Sequence, residues 1–233
     1  GVEKYEPEDI PCTNGKLVPL PDMVPMFDIE GTERNPHVVD IMMEMDVVVT
    51  EKIEGSNFSI TITPDDEVIV AQRKYAIVED EGKEHMFWRV AREQGLIDLI
   101  KSIKEKSDYG QVTLRGEFIG PGVQSNIYGL QKHRVVLFDM MLNGYYVNYH
   151  VFRLYVPEDQ RVPELWYNKP LDAFLDGRTM DEASTGTTIL PGNTTDCLRE
   201  GIVIKQAGLV SQIPNFGRLI IKKRSTAYLA NEK

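Results

Sequence analysis

Long hydrophobic runs are missing: no apolar stretch approaches the roughly eighteen residues that a helix needs to cross a bilayer. The opening GVEKYEPEDI lacks the basic-then-apolar order of a secretory leader. Cysteine is scarce. Cys12 and Cys197 are the only two, and neither belongs to a CxxC pair, which excludes a disulfide framework and fits a reducing compartment. The four histidines, His37, His85, His133 and His150, are scattered without zinc-ligand spacing. Positive charge is also in deficit, with 26 Lys and Arg against 36 Asp and Glu and a net charge of -10. That balance excludes a protein that coats phosphate backbones by bulk electrostatics. It leaves two local basic groups, Lys132-His133-Arg134 and the run RLIIKKR from Arg218 to Arg224. No internal repeat or low-complexity tract is present. A soluble intracellular protein is the expectation.

What is present is the material of a substantial core, in 233 residues of which 42% are hydrophobic and 27% charged. The chain begins with Gly, so a piece of a longer protein is expected. Residues 1–46 carry Pro7, Pro11, Pro19, Pro21 and Pro25 and are expected to be a lead-in segment packed on the domain that spans 47–233. Strand patterns appear in VVVTEKI, NFSITITP and EVIVAQR, the last two separated by Pro64-Asp65-Asp66. The stretch 84–106 has apolar residues at helical spacing with a break near Gly95. Strands are expected again at 111–119, 134–141 and 145–152, with Asn143-Gly144 as a hairpin turn. Residues 155–198 mix short helical signals with prolines and threonines and are expected to be a peripheral excursion. GIVIKQA and GRLIIKK close the pattern as strands. The order predicts an α+β fold of antiparallel β-sheets flanked by helices.

Charged and aromatic residues recur in or beside these apolar strands, where an unpaired charge is expensive. Lys52 stands in TEKIEGSNFSITI, Arg73 at the end of a strand, and Glu117 in LRGEFIG. Phe138-Asp139 close RVVLFD, Glu200 to Lys205 form REGIVIK, and Lys222 to Arg224 lie in LIIKKRS. Groups of both signs on strands far apart in the chain make sense if the strands converge on one polar ligand. A lysine amine is nucleophilic only when neutral, and its reference pKa is about 10.4, so neighbouring cations or a divalent metal would have to unload its proton. Gly55 and Gly116 would let the backbone approach such a ligand closely.

From about residue 50 to residue 225 the ordered motifs resemble the covalent nucleotidyltransferase superfamily of ATP-dependent ligases and capping enzymes. EKIEGSNF is most similar to the nick-sealing RNA ligases. The resemblance implies an ATP-grasp-like ligase adenylation domain that forms a lysyl-AMP from ATP, transfers AMP to a 5′-phosphate RNA end and seals it to a 3′-hydroxyl. It implies that Lys52 is the nucleophile and that Glu51 recognises the adenine amino group. Arg73 would contact the ribose or brace the loop of Lys52, and Phe138 and Val203 would sandwich the base. Glu117 and Glu200 would hold the ribose or the water shell of a magnesium or manganese ion. Lys205, Lys222 and either Lys223 or Arg224 would grip phosphate; strand alternation puts 222 and 224 on one face. Ile53 and Gly55 complete the nucleotide-binding motif, and Asn57 is expected to engage the RNA end. Two departures stand out. Glu54 occupies a position where relatives carry His or Asp, and the last motif reads Lys222-Lys223-Arg224 where the family alternates. A DNA ligase adenylation domain, a capping-type guanylyltransferase and a non-catalytic nucleotide or RNA-end binder remain open. The DNA ligases and capping enzymes carry an OB-fold module after the last motif, whereas this chain ends nine residues past Arg224. An accessory RNA-binding module is expected to lie outside the chain.

Overall fold

Alternation in Phe58-Ser59-Ile60-Thr61-Ile62 sorts apolar from polar side chains on two faces of one strand, and both faces are covered. The computed structural model describes residues 15–79 and 84–231. Pro7, Pro11 and Cys12 of the expected lead-in lie outside the described residues. In chain order, β1 (Lys16–Pro19) and α1 (Pro36–Met42) precede β2 (Asp46–Lys52), β3 (Ser56–Ile62), β4 (Val68–Ala71) and β5 (Tyr75–Val78). Next come α2 (Met86–Glu93), α3 (Leu96–Ser107), β6 (Val112–Ile119), β7 (Arg134–Leu142) and β8 (Tyr145–Tyr146). They are followed by α4 (Tyr149–Tyr155), β9 (Glu164–Pro170), α5 (Leu171–Leu175) and α6 (Met180–Ser184). The remainder is β10 (Gly201–Gln206), β11 (Gln212–Ile213), β12 (Gly217–Arg218), β13 (Ile220–Arg224) and α7 (Thr226–Asn231).

The strands form a seven-stranded sheet in the order β1-β5-β4-β3-β6-β7-β8, a four-stranded sheet in the order β13-β10-β2-β9, and the small pair β11-β12. Every ladder between the named strands is antiparallel. On one face of the large sheet Phe58, Ile60 and Ile62 pack against Phe87, Val90, Ile100 and Ile103 of α2 and α3. On the other face Ser59, Thr61, Thr113 and Arg115 are buried as well, with Thr61 and Thr113 sharing a hydroxyl hydrogen bond of 2.9 Å. That polar face is covered by the lead-in. The Gln111 side chain donates to Met23 O (2.9 Å) and Arg115 Nη2 donates to Pro25 O (2.5 Å). The strand is therefore buried on both sides, although such alternation is the pattern of a half-buried strand. A second core, with Val47, Val49, Ile202 and Ile204, lies between the small sheet and α1 and α5.

Several expectations meet the structure directly. The helical stretch is two helices parted at Gly95, whose φ of 68° is left-handed. Asn143 and Gly144, with φ of 48° and 81°, make the tight hairpin that joins β7 to β8. The strand expected over 145–152 ends after two residues, because the Asn148 side chain accepts the Val151 N–H and starts α4. The excursion expected over 155–198 contains β9, which pairs with β2 through two register shifts and is part of the small sheet. Helix α1 and strand β5 had no clear sequence signal. Among the described residues no helix is long and apolar enough to cross a membrane.

Candidate active site

Strands β2 and β3 belong to different sheets yet are joined only by Ile53-Glu54-Gly55, so the cleft between the sheets opens at this connection. Ile53 anchors it from below, buried with Ile119, Tyr128, Val136 and Val162. Gly55 is required by packing: a Cβ there would stand 2.6 Å from Phe118 O and 2.7 Å from Ile119 Cγ2. Gly116 likewise faces Val136 O, at 2.7 Å from where a Cβ would be. Both glycines are thus demanded by close backbone packing, and Gly55, expected to allow close approach of a ligand, also lines the cleft. Glu54 is fixed by three hydrogen bonds. Its carboxylate accepts from Ser125 N and Tyr228 Oη, both at 2.8 Å, and its N–H donates to Tyr128 Oη at 2.8 Å.

Lys52, the last residue of β2, points into this cleft with its Nζ 2.6 Å from Glu200 Oε2. The other oxygen of Glu200 lies 3.0 Å from Arg224 Nε. Glu117 projects from β6 opposite Asn57 of β3, and both line the cleft. The Glu117 carboxyl borders the cleft but is walled by protein, and this burial pushes its pKa up to about 8. Lys52 and Lys222 pull it down, and Glu200 pushes it further up. Lys222 reaches the cleft from β13, and Arg73 reaches it from the turn after β4. Lys223, on the opposite face of β13, pairs with Glu33 (2.8 Å) and Asp181 (3.4 Å). The strand therefore presents Lys222 and Arg224 to one side and Lys223 to the other.

The other end of the cleft is aromatic and ionic. Phe138 and Val203 line it, with the Phe138 ring 5.1 Å from that of Phe27. Lys205, expected to grip phosphate, donates to the Phe138 carbonyl and lies 3.8 Å from Asp139 and 4.6 Å from the Tyr149 ring centre. Burial lowers its pKa to about 8 against the pull of Asp139. Asp139 in turn takes both arms of Arg218, at 2.5 and 3.1 Å. Burial alone would raise the Asp139 pKa, but Arg218 and Lys205 hold it below the ordinary carboxylate range.

Glu51, expected to recognise the adenine amino group, lines the cleft and also ties down a loop. Its buried carboxylate accepts from Thr188 Oγ1 (2.9 Å) and Ile189 N (2.7 Å), tying the 188–190 loop to β2, and burial raises its pKa. Arg115 and Arg199, which stand close to Glu117 and Glu200 in the sequence, are engaged elsewhere: Arg115 with Pro25 O, Arg199 with the carbonyls of Ser184 and Thr185. Sequence reasoning missed Phe27, Asp28 and Ile29, which line the cleft from the lead-in. No periodicity marks them; their placement depends on contacts with residues far along the chain. Among the described residues no group of three or more His, Cys, Asp or Glu could cage a metal. Glu117 in the cleft and Glu200 against Lys52 suit a divalent ion that keeps most of its waters.

Comparison with known proteins adds the following. The profile of the family described as RNA ligase matches residues 45–224. Among solved structures, a Naegleria gruberi RNA ligase with ATP and manganese, in a lysine-to-alanine variant, aligns with a TM-score of 0.74 at 21% identity, covering 98% of this chain and 64% of that one. A glutamate-to-alanine variant of the same enzyme with AMP and manganese gives 0.73 at 21% identity, again with 98% and 64% coverage. The Naegleria gruberi enzyme with pyrophosphate gives 0.71 at 21% identity and the same coverage. At this identity the alignments show a shared fold. The chain spans about 64% of the length of these relatives. No curated protein matches it.

Proposed function

We propose, from the premise that this chain belongs to the RNA ligase family, that it is the adenylation unit of an ATP-dependent, nick-sealing RNA ligase within the covalent nucleotidyltransferase superfamily. The observation that carries this reading is the Lys52 amine, 2.6 Å from Glu200, in a cleft that also holds Glu117, Lys222 and Arg73. In the first step the neutral amine attacks the α-phosphorus of ATP. An N–P bond forms, the P–O bond to pyrophosphate breaks, and Glu200 is the acceptor nearest the departing ammonium proton. The phosphates gain negative charge in the transition state, and Lys222, Arg224 and Arg73 would stabilise it. Phe138 and Val203 supply the apolar walls for a purine. In the second step the oxygen of an RNA 5′-phosphate displaces Lys52 from AMP, and in the third a 3′-hydroxyl displaces AMP. A magnesium or manganese ion held through water by Glu117 and Glu200 would supply further positive charge at the phosphates. Asn57, which pairs with Glu117 across β3 and β6 and lines the cleft, would meet the RNA end.

Incubation with labelled ATP and a divalent metal tests the reading. Label that survives denaturation and is lost in Lys52→Ala is the expected result. Label from GTP instead would mean a capping-type transferase, and no label from either nucleotide would mean a binder. Sealing of nicked duplexes should require an RNA 3′-hydroxyl strand; equal sealing with a DNA strand would move the assignment to DNA ligases.

A further inference from the structure

The lead-in crosses the cleft between the two sheets and is pinned on both sides. On the large-sheet side Pro25 O accepts from Arg115, and the Phe27 ring lies 5.2 Å from the Arg115 guanidinium and 5.1 Å from Phe138. On the small-sheet side Lys222 N donates to Glu30 O (2.9 Å), and Thr32 N donates to Lys222 O (3.0 Å). Between these anchors Asp28 turns its carboxylate into the cleft. One oxygen lies 2.8 Å from Arg73 Nη2, and the other lies 3.6 Å from Lys222 Nζ and accepts the N–H of Ile29 at 2.9 Å. One carboxylate thus stands between the two cations that face the phosphate end of the site.

We propose that Asp28 is a positioning residue that competes with phosphate: it orients Arg73 and Lys222 and weakens their hold on the pyrophosphate leaving group. This rests on the nucleotide reading of the cleft. With Asp28 ionised, the trio carries a net charge of +1; with the carboxylate removed, it carries +2. A polyanion entering the site must share or displace a carboxylate whose backbone is held on both sides, so the anion is bound less tightly than it would be with that carboxylate removed. That suits a reaction in which pyrophosphate must leave before an RNA end can approach the adenylate.

The test is titration of inorganic pyrophosphate, and separately of uncharged adenosine, into the unadenylated chain and its Asp28→Asn and Asp28→Glu variants. Asp28→Asn should bind pyrophosphate roughly three- to ten-fold more tightly, the size expected of a partly exposed ion pair. The gain should shrink as salt is raised. Adenosine affinity should stay the same, and Asp28→Glu should bind pyrophosphate as the parent chain does. Unchanged or weaker pyrophosphate binding in Asp28→Asn would overturn the proposal. So would a parallel loss of adenosine binding, which would make Asp28 a structural strut. The pyrophosphate arm needs no covalent chemistry, so a chain that never forms an adenylate would defeat the ligase reading and still decide this one.

Discussion

Without a divalent ion beside it, Glu117 is a carboxylic acid whose surroundings keep it protonated near neutrality, its pKa pushed by burial from 4.5 to about 8. The consequence for stability has a definite sign. Between about 4.5 and 8 the unfolded chain has released this proton while the folded chain still holds it, so stability falls as pH rises through that window. Allowing for solvent in the cleft, the fall is on the order of 2 kcal/mol. Glu117→Gln is expected to flatten this slope and to melt above the parent chain at pH near 8, as followed by thermal unfolding across a pH series; an unchanged slope would mean that Glu117 is not the group responsible. Asp139 is the opposite case, a buried carboxylate held ionised by Arg218 and Lys205. Replacing it with Asn leaves buried cations without their counter-ion. The expected cost is about 3–5 kcal/mol, seen as a lower urea midpoint at unchanged slope.

At the scale of elements, the connection between β2 and β3 governs the site. Gly55 sits where a Cβ would meet the Phe118 carbonyl at 2.6 Å, so the β6 backbone or the connection must shift to admit a side chain. Gly55→Ala is expected to destabilise the fold by about 1–3 kcal/mol and to depress adenylate formation by displacing Lys52, both read on the same preparation. An alanine variant that is stable and fully active would show that the connection is slack. Much at this scale could be read in the sequence, because the signals were local. Alternation marked β3, apolar strand patterns marked β6 and β7, the break at Gly95 divided the helices, and Asn143-Gly144 announced its turn. The failures were local competitions decided by distant partners. Tyr145 to Phe152 looks like a strand until Asn148 caps a helix, and β9 is irregular because it follows β2 through two register shifts.

Across the whole molecule, the cleft is made by strands that are neighbours in space and strangers in sequence. Lys52 and Glu200 are 148 positions apart, and Arg73 meets Asp28 across 45. Motif order in the chain was enough to suggest which residues gather there, and Lys52, Glu117, Phe138, Val203, Glu200 and Lys222 do border or enter one cleft. It could not show that Glu51 anchors a loop, that Lys205 is engaged by Phe138 and Asp139, or that the lead-in reaches into the site. Those facts depend on which face of a strand meets which neighbour. The acidic balance of the chain is likewise a bulk property, whereas the cleft concentrates Lys52, Arg73 and Lys222, with Lys52 against Glu200. The central claim is that one amine, Lys52 Nζ, bonds covalently to the α-phosphorus of ATP. Proteolysis and mass spectrometry of the chain after incubation with ATP and manganese should find adenylate on the peptide containing Lys52 and on no other. An adduct on Lys205, Lys222 or Lys223, or none at all from a folded preparation, would contradict it.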